Sequence, residues 1–402
     1  MVGLNEPWII RPQSMSVPPG VPPRVPPRAP ALQEPDYLDR YDATTVFYDV
    51  FRCGPRVVAL GPPAGSLAPV VDALRVDGAA PRSDAGLDRL GRFWFRRGRS
   101  ATHVTGPGGQ RVEIAEDLAE SFRGRFAVAT LSKDNDLEWI SDWARWYVDH
   151  HGADAFVVYD NGSSRYTLEE LWRALHDVSG VAVAAVVDWP FRYGPIGTPP
   201  TNLFDSNYAQ HGSLEHARWR LLRESAGYLS VDIDELVLPL DAGTVFSATI
   251  DSGCGGLRIP GTWTYPAPGD TAGSAPRHAN STWVKVRPPD APSPPKWSVT
   301  PRRLPRRAQL MVHTVRGAHL DSAPSLRFAH LLDISTNWYS GRGSFHVVPG
   351  RYALDEELAA AHAAPGAVPA AATRSRRAWH PHHRALAFAR RLYHRARERG
   401  LL

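Results

Sequence analysis

Tyr228-Leu229-Ser230-Val231-Asp232-Ile233-Asp234-Glu235 reads as an apolar strand that runs into three carboxylates within four residues. The segments before it alternate between two periods. Phe126-Ala127-Val128-Ala129-Thr130-Leu131 is a continuous apolar run, the pattern of a strand buried on both faces. Over 137–151 the period becomes helical, with Leu137, Ile140, Trp143, Ala144, Tyr147 and Val148 on one face. Residues 155–159 form a second strand, and 167–178 a helix in which Thr167 and Glu170 have capping-box spacing. A third strand over 181–187 and a helix over 211–226 lead back to the quoted segment. Strand and helix in alternation predict an α/β fold, a mostly parallel Rossmann-like sheet with helices on both faces. After Pro239 the alternation stops, leaving strand-like pieces at 256–259, 283–287 and 309–315.

Ligands of such sheets sit at the carboxyl ends of the strands. Three ends carry suitable groups. Lys133-Asp134-Asn135-Asp136 follows the first strand, where Asn135 or Asp136 serves equally well as a helix cap. Asp160-Asn161-Gly162-Ser163-Ser164 follows the second, and Asn161-Gly162 is equally a turn pair. At the last, Asp232 and Asp234 point to one side if the backbone is extended. Two hard oxygen ligands at that spacing suit Mn2+ or Mg2+ carrying substrate phosphates; a solvated strand-to-loop turn is the other reading. His313, in Leu310-Met311-Val312-His313-Thr314-Val315, is either a third ligand or a satisfied core histidine. No hydrolase elbow, P-loop, dinucleotide glycine motif or Cys-x-x-Cys pair occurs in a supporting context.

The chain has 402 residues and a net charge of +5. Residues 374–399 hold nine arginines against one acid, Glu398, so this tail carries +8 and the remainder −3. A tail of this kind suits an acidic membrane surface or nucleic acid, and it does not make the core a nucleic-acid binder. The expected organisation is a disordered proline-rich arm over 1–34, a small β-rich accessory domain over 35–120, the α/β domain over 124–345, and a linker with a basic, helix-forming tail over 346–402. Two distant cysteines, Cys53 and Cys254, make no disulfide framework. The chain shows no apolar run of membrane-spanning length and no signal-peptide core, so the expected location is cytoplasmic, peripheral to a membrane if the tail docks.

The motifs together resemble glycosyltransferases of family 92 and their family-2-like bacterial relatives. Those proteins read approximately Lys-Asn-Glu, a helix with Glu-Trp-Ile and a terminal His, then Tyr-Asp-Asn-x-Ser and Asp-x-Asp-Glu-Phe-x-x-Pro. Here the matching residues are Lys133 to Asp136, Glu138-Trp139-Ile140, His150, Tyr159-Asp160-Asn161, Gln210 and the segment from Tyr228 to Pro239. Two departures stand out: Lys133-Asp134-Asn135-Asp136 replaces Lys-Asn-Glu, and Leu236 replaces Phe. The resemblance covers 126–240 well and 280–345 loosely. It implies a GT-A fold and transfer of a sugar from a nucleotide-diphosphate donor, expected to be a UDP-sugar, to a glycan or other acceptor hydroxyl, with inversion. It further implies that Asn135, Asp136, Asp160 and Asn161 line the nucleotide site, that Lys296 or Arg287 contacts the diphosphate, and that Asp232, Asp234 and His313 hold Mn2+ or Mg2+. Glu235 and Asp333 are the candidate bases. Trp263, Tyr265, Trp297 and Trp338 are candidates for an acceptor platform, with core packing the competing fate. A sugar-nucleotide hydrolase or nucleotidyltransferase, and a catalytically silent carbohydrate-binding scaffold, are the alternative classes.

Overall fold

A computed structural model describes residues 6–96, 100–196, 204–241, 243–267, 276–323, 325–334, 336 and 350–364. Its N-terminal part is β-rich. β1 (Ile9–Ile10) and β2 (Met15–Ser16) lead through α1 (Tyr37–Arg40) to β3 (Thr45–Phe47). β4 (Asp49–Cys53), β5 (Arg56–Gly61), β6 (Arg82–Ser83) and β7 (Gly91–Phe95) form an antiparallel sheet in the order β4-β5-β7-β6. α2 (Ala68–Asp72) and the hairpin of β8 (His103–Thr105) and β9 (Arg111–Glu113) complete this part.

The alternating segment then builds the main sheet: β10 (Phe126–Ser132), α3 (Leu137–His151), β11 (Ala155–Asp160), α4 (Leu168–His176), β12 (Val183–Asp188), α5 (Tyr208–His216) and β13 (Gly227–Ser230). β12, β11, β10 and β13 lie side by side and parallel. Every residue of β11 is buried, as a strand covered on both faces requires. Gly152 ends α3 in the left-handed conformation at φ 67°, and Thr167 with Glu170 forms the capping box that starts α4. The helix expected over 211–226 begins earlier, at Tyr208, and after His216 passes into a π turn and a short 3-10 turn.

Beyond β13 the sheet becomes mixed. β14 (Glu235–Val237), α6 (Val245–Asp251), β15 (Gly256–Thr264), β16 (Trp283–Lys285), β17 (Ser293–Val299), β18 (Gln309–Leu310), β19 (Val315–Arg316), β20 (Asp321–Ser322) and β21 (Phe328–Leu331) follow. The ten-stranded order is β1-β12-β11-β10-β13-β17-β15-β21-β14, with β20 beside β15. β22 (Tyr352–Leu354) pairs with β16, and α7 (Glu356–Ala363) ends the described chain. The result is a mixed α/β structure with a large, mostly parallel centre and an apolar core on each sheet face. No helix among the described residues is long and apolar enough to cross a membrane.

The proline-rich arm departs from its expected disorder. β1 adds a parallel strand to β12, and β2 pairs with β3. Arg24 donates to the carbonyls of Pro63, Asp42 and Thr45. Arg28 is held by Glu34 and Asp205 and lies over the Tyr37 ring at 4.7 Å. Prolines carry no N–H, so an extended arm needs few backbone partners, and two buried arginines supply its anchorage. Residues 365–402, including the expected tail helix, lie outside the described residues.

The β-rich part meets the α/β sheet through buried ions. Arg92 binds Glu215 of α5 at 2.7 Å, both side chains at 0% exposure. Asp49 accepts from His216 and Arg220, each at 2.7 Å, and from the Gln13 N–H; the other His216 nitrogen meets the Tyr159 hydroxyl at 2.7 Å. Burial alone would raise the Asp49 carboxyl, but Arg220 and His216 outweigh it and hold it below its ordinary range. Breaking one side of a buried pair strands the other charge. A Glu215→Leu variant, which also removes the acceptor of Trp219 and of the Leu310 N–H, should therefore lose about 3–5 kcal/mol of unfolding free energy in urea denaturation, and Glu215→Gln, which keeps an acceptor oxygen there, distinctly less.

Candidate functional site

The carboxylate segment does not continue as an extended strand. After β13 the chain turns, with the Glu235 N–H bonded to the Asp232 carbonyl at 3.1 Å, and resumes as β14 at the far edge of the sheet. β14 has a strand neighbour on one side, β21. On the other, side chains of α3 take a strand's place. The Tyr147 hydroxyl donates to the Glu235 carbonyl at 2.9 Å and accepts the Val237 N–H at 3.0 Å. Trp146 Nε1 and His151 Nε2 donate to the Val237 carbonyl at 2.8 and 2.9 Å. His278 Nε2 donates to the Ile233 carbonyl at 2.8 Å.

Strand register assembles the chemistry. Glu235 lies opposite His330 on β21, and His330 is beside Trp263 on β15. Ligand atoms of Asp234, Glu235 and His330 all lie within 4.8 Å of one another. His330 Nε2 is 3.2 Å from Asp234 Oδ2; His330 Nδ1 is 2.8 Å from Ser293 Oγ and 3.6 Å from Glu235 Oε1. The Trp263 indole stacks on the imidazole, with centroids 4.2 Å apart. On the other flank, Lys296 Nζ reaches Asp232 Oδ2 at 2.6 Å and Glu235 Oε2 at 3.0 Å. Burial raises the Glu235 carboxyl to about 7, opposed by Lys296 and reinforced by Asp232. Burial works against the Lys296 charge too, but Asp232 and Glu235 hold it as an ammonium above its ordinary range.

The structure brings together Asp234 and Glu235, and assigns Asp232 to Lys296 instead of to the converging trio. The turn at Asp232 is the reason: residues i and i+2 share a side only along an extended chain. His313 is a second departure. It sits exposed in the β18–β19 turn with Nδ1 3.1 Å from the Pro295 carbonyl, and the histidine that meets the carboxylates is His330. Arg287 is exposed between β16 and β17, with its N–H on the Arg351 carbonyl. Asp333 follows β21 and accepts from Ser281 Oγ. Trp297 is fully buried, its Nε1 on the Met311 carbonyl, which removes it from any acceptor platform; Tyr265 is buried too, its hydroxyl bonded to Asp290. Trp338 lies outside the described residues.

The residues expected to line a nucleotide site cluster at the carboxyl ends of β10, β11 and β12, where Asp160 is in register with both Ser132 and Asp188. Asp160 Oδ2 accepts the Ser163 N–H at 2.9 Å, while its buried Oδ1 has no partner among the described residues. Asn161 donates to the Trp189 and Phe191 carbonyls, and Asn135 to Ser132 Oγ. Asp136 occupies the N-cap position of α3 without a capping hydrogen bond and pairs with Arg165 at 2.5 Å.

The fold and the site define a mixed α/β protein with a carboxylate–imidazole cluster beside the far edge of its central sheet. No family model matches the chain, and no curated protein matches it. Among solved structures, the apo form of the bifunctional glycosyltransferase WbbM is similar over 37% of this chain, at 15% identity and a TM-score of 0.25. The match spans a quarter (25%) of that protein's length, and a likeness of that extent fixes neither family nor activity.

One support of β14 is sensitive to pH. His151 donates from Nε2 and accepts the Val245 N–H at Nδ1, so only the neutral ring makes both bonds. Burial lowers its pKa from 6.5 to about 4. The unfolded chain therefore binds a proton that the folded one rejects, and stability falls as pH drops from 6.5 towards 4. Urea denaturation across that window should show a slope of stability against pH that His151→Gln reduces by up to one proton, about 1.4 kcal/mol per pH unit.

Proposed function

We propose that this chain transfers a sugar from a nucleotide-diphosphate donor to an acceptor hydroxyl, using a divalent cation held by Asp234, Glu235 and His330. The observation that carries this reading is the convergence of those three ligand atoms within 4.8 Å. Two carboxylates and an imidazole are a donor set that Mn2+ accepts readily and Mg2+ less so. Such a cation neutralises the charge of a departing diphosphate. Lys296, held as an ammonium on the same flank, adds a second fixed positive charge.

The unpartnered Asp160 oxygen supports a nucleoside site, because a buried carboxylate oxygen gains most from a ligand hydroxyl or N–H. In this reading Asn135, Asp136 and Asn161 shape that end of the site. Glu235, being a ligand, leaves Asp333 as the base for the acceptor hydroxyl. The expected donor is a UDP-sugar, the expected outcome inversion, and the expected role of the basic tail docking on an acidic membrane surface.

One observation favours a second reading. Lys296 already satisfies Asp232 and Glu235, as it would in a metal-free scaffold that binds carbohydrate without turnover. Titration with UDP- and GDP-sugars, with and without Mn2+, separates the two. Transfer predicts cation-dependent binding and slow donor hydrolysis, both lost in Asp234→Ala and His330→Ala. It also predicts a roughly 10-fold weaker nucleotide affinity in Asp160→Asn, the loss of one charged hydrogen bond. Binding unchanged by Mn2+, or undetectable with every donor, overturns it.

A further inference from the structure

We infer that His278 and Tyr147 are positioning residues of the cation site, setting Asp234 and Glu235 in their liganding geometry before any ion arrives; this rests on the proposed cation reading. Three successive peptide planes carry the two carboxylate ligands: 233–234, 234–235 and 235–236. The first is fixed at the Ile233 carbonyl by His278 Nε2, 2.8 Å away. The second is fixed at the Asp234 carbonyl by the Leu331 N–H, 2.8 Å away across the β14–β21 pair. The third is fixed at the Glu235 carbonyl by the Tyr147 hydroxyl at 2.9 Å. β21 holds the inner side of β14, pairing with Asp234 and, at Leu236, through Ala329. The Ile233 and Glu235 carbonyls face away from β21 and are each met by one side chain, because the chain turns at Ile233 and β14 is the last strand of the sheet.

Both supports are buried and specific in direction. A carbonyl partner requires His278 to carry its proton on Nε2, leaving Nδ1 as a bare lone pair, and that atom has no partner among the described residues. Tyr147 acts in both directions, donating to Glu235 and accepting from Val237, as an adjacent strand residue would. Without these donors the Ile233 and Glu235 carbonyls would be buried and unsatisfied, and each plane would rotate to find another partner. Rotation of the first plane changes φ at Asp234 and rotation of the third changes ψ at Glu235, and each alters how that residue's carboxylate is presented to His330.

The test measures Mn2+ affinity by calorimetry and, in the metal-free protein, the ring 15N resonances of His330. His278→Leu and Tyr147→Phe should each weaken Mn2+ binding about 10–100-fold and shift His330. His278→Gln, whose amide can donate in the same direction, should recover most of both. Wild-type affinity together with unshifted His330 resonances in folded His278→Leu and Tyr147→Phe overturns the inference. If His278→Leu fails to fold, Tyr147→Phe decides, since it deletes a single oxygen. If the wild type binds no Mn2+, the cation reading fails on its own. The His330 resonances then decide positioning alone: shifted in the variants they support it, unshifted they overturn it.

Discussion

A carboxylate at 1% exposure on a sheet strand must be neutralised where it stands, and Glu235 meets that constraint through Lys296. Leaving such a charge alone in a low-dielectric interior costs several kcal/mol, so β17 and β14 cannot be placed independently. β17 lies between β13 and β15, and Lys296 sits opposite Ile259 in the β15 register. From there its ammonium bridges the turn carboxylate Asp232 and the strand carboxylate Glu235. The Asp232 N–H closes the loop by donating to Glu235 Oε2 at 2.8 Å. The turn, the edge strand and the central strand are thus fixed by one buried cation.

The N-terminal part follows the same principle at a second boundary. Its contacts with the α/β sheet include apolar packing, but the specific ones are ionic: Arg92 with Glu215, and Asp49 with His216 and Arg220. Arg28 reaches Asp205, and Arg89 reaches the Phe204 carbonyl and Asn207, so the segment leading into α5 is gripped from the arm and from the β6–β7 connection. α5 carries Gln210, whose amide oxygen accepts from Tyr193 and Asn207. Buried ions of this kind contribute little net stability compared with apolar replacements, but they tolerate only one relative placement of the parts they join.

The alternating half of the fold was legible because its signals are local. Apolar runs, a 3.6-residue period and the Thr167–Glu170 spacing each report on a few neighbouring residues, and β10 to β13 obey them. What stayed hidden depends on pairing across long separations. His313 and His330 present the same signal, a lone histidine in an apolar run, and only the β14–β21 register decides which faces the carboxylates. The aromatic face of α3 reads as core, which it is, yet the polar tips of Trp146 and Tyr147 do a strand's hydrogen bonding. The arm misled because composition reports the absence of an apolar core and says nothing of Arg24 and Arg28 finding buried carbonyls and carboxylates elsewhere.

Asp232 and Asp234 show how one motif divides between two tasks. The same turn that separates them sends Asp232 to the resident ammonium and Asp234 to the imidazole. Glu235 belongs to both sides, with Oε2 on Lys296 and Oε1 towards His330. Its burial raises the proton affinity of the carboxyl, while the ammonium lowers it. A divalent cation at the trio would act in the same sense as Lys296 and favour the ionised form. Lys296 therefore need not leave for a cation to enter. It already holds the one shared carboxylate in place, and an incoming charge would draw on the oxygen that Lys296 does not use.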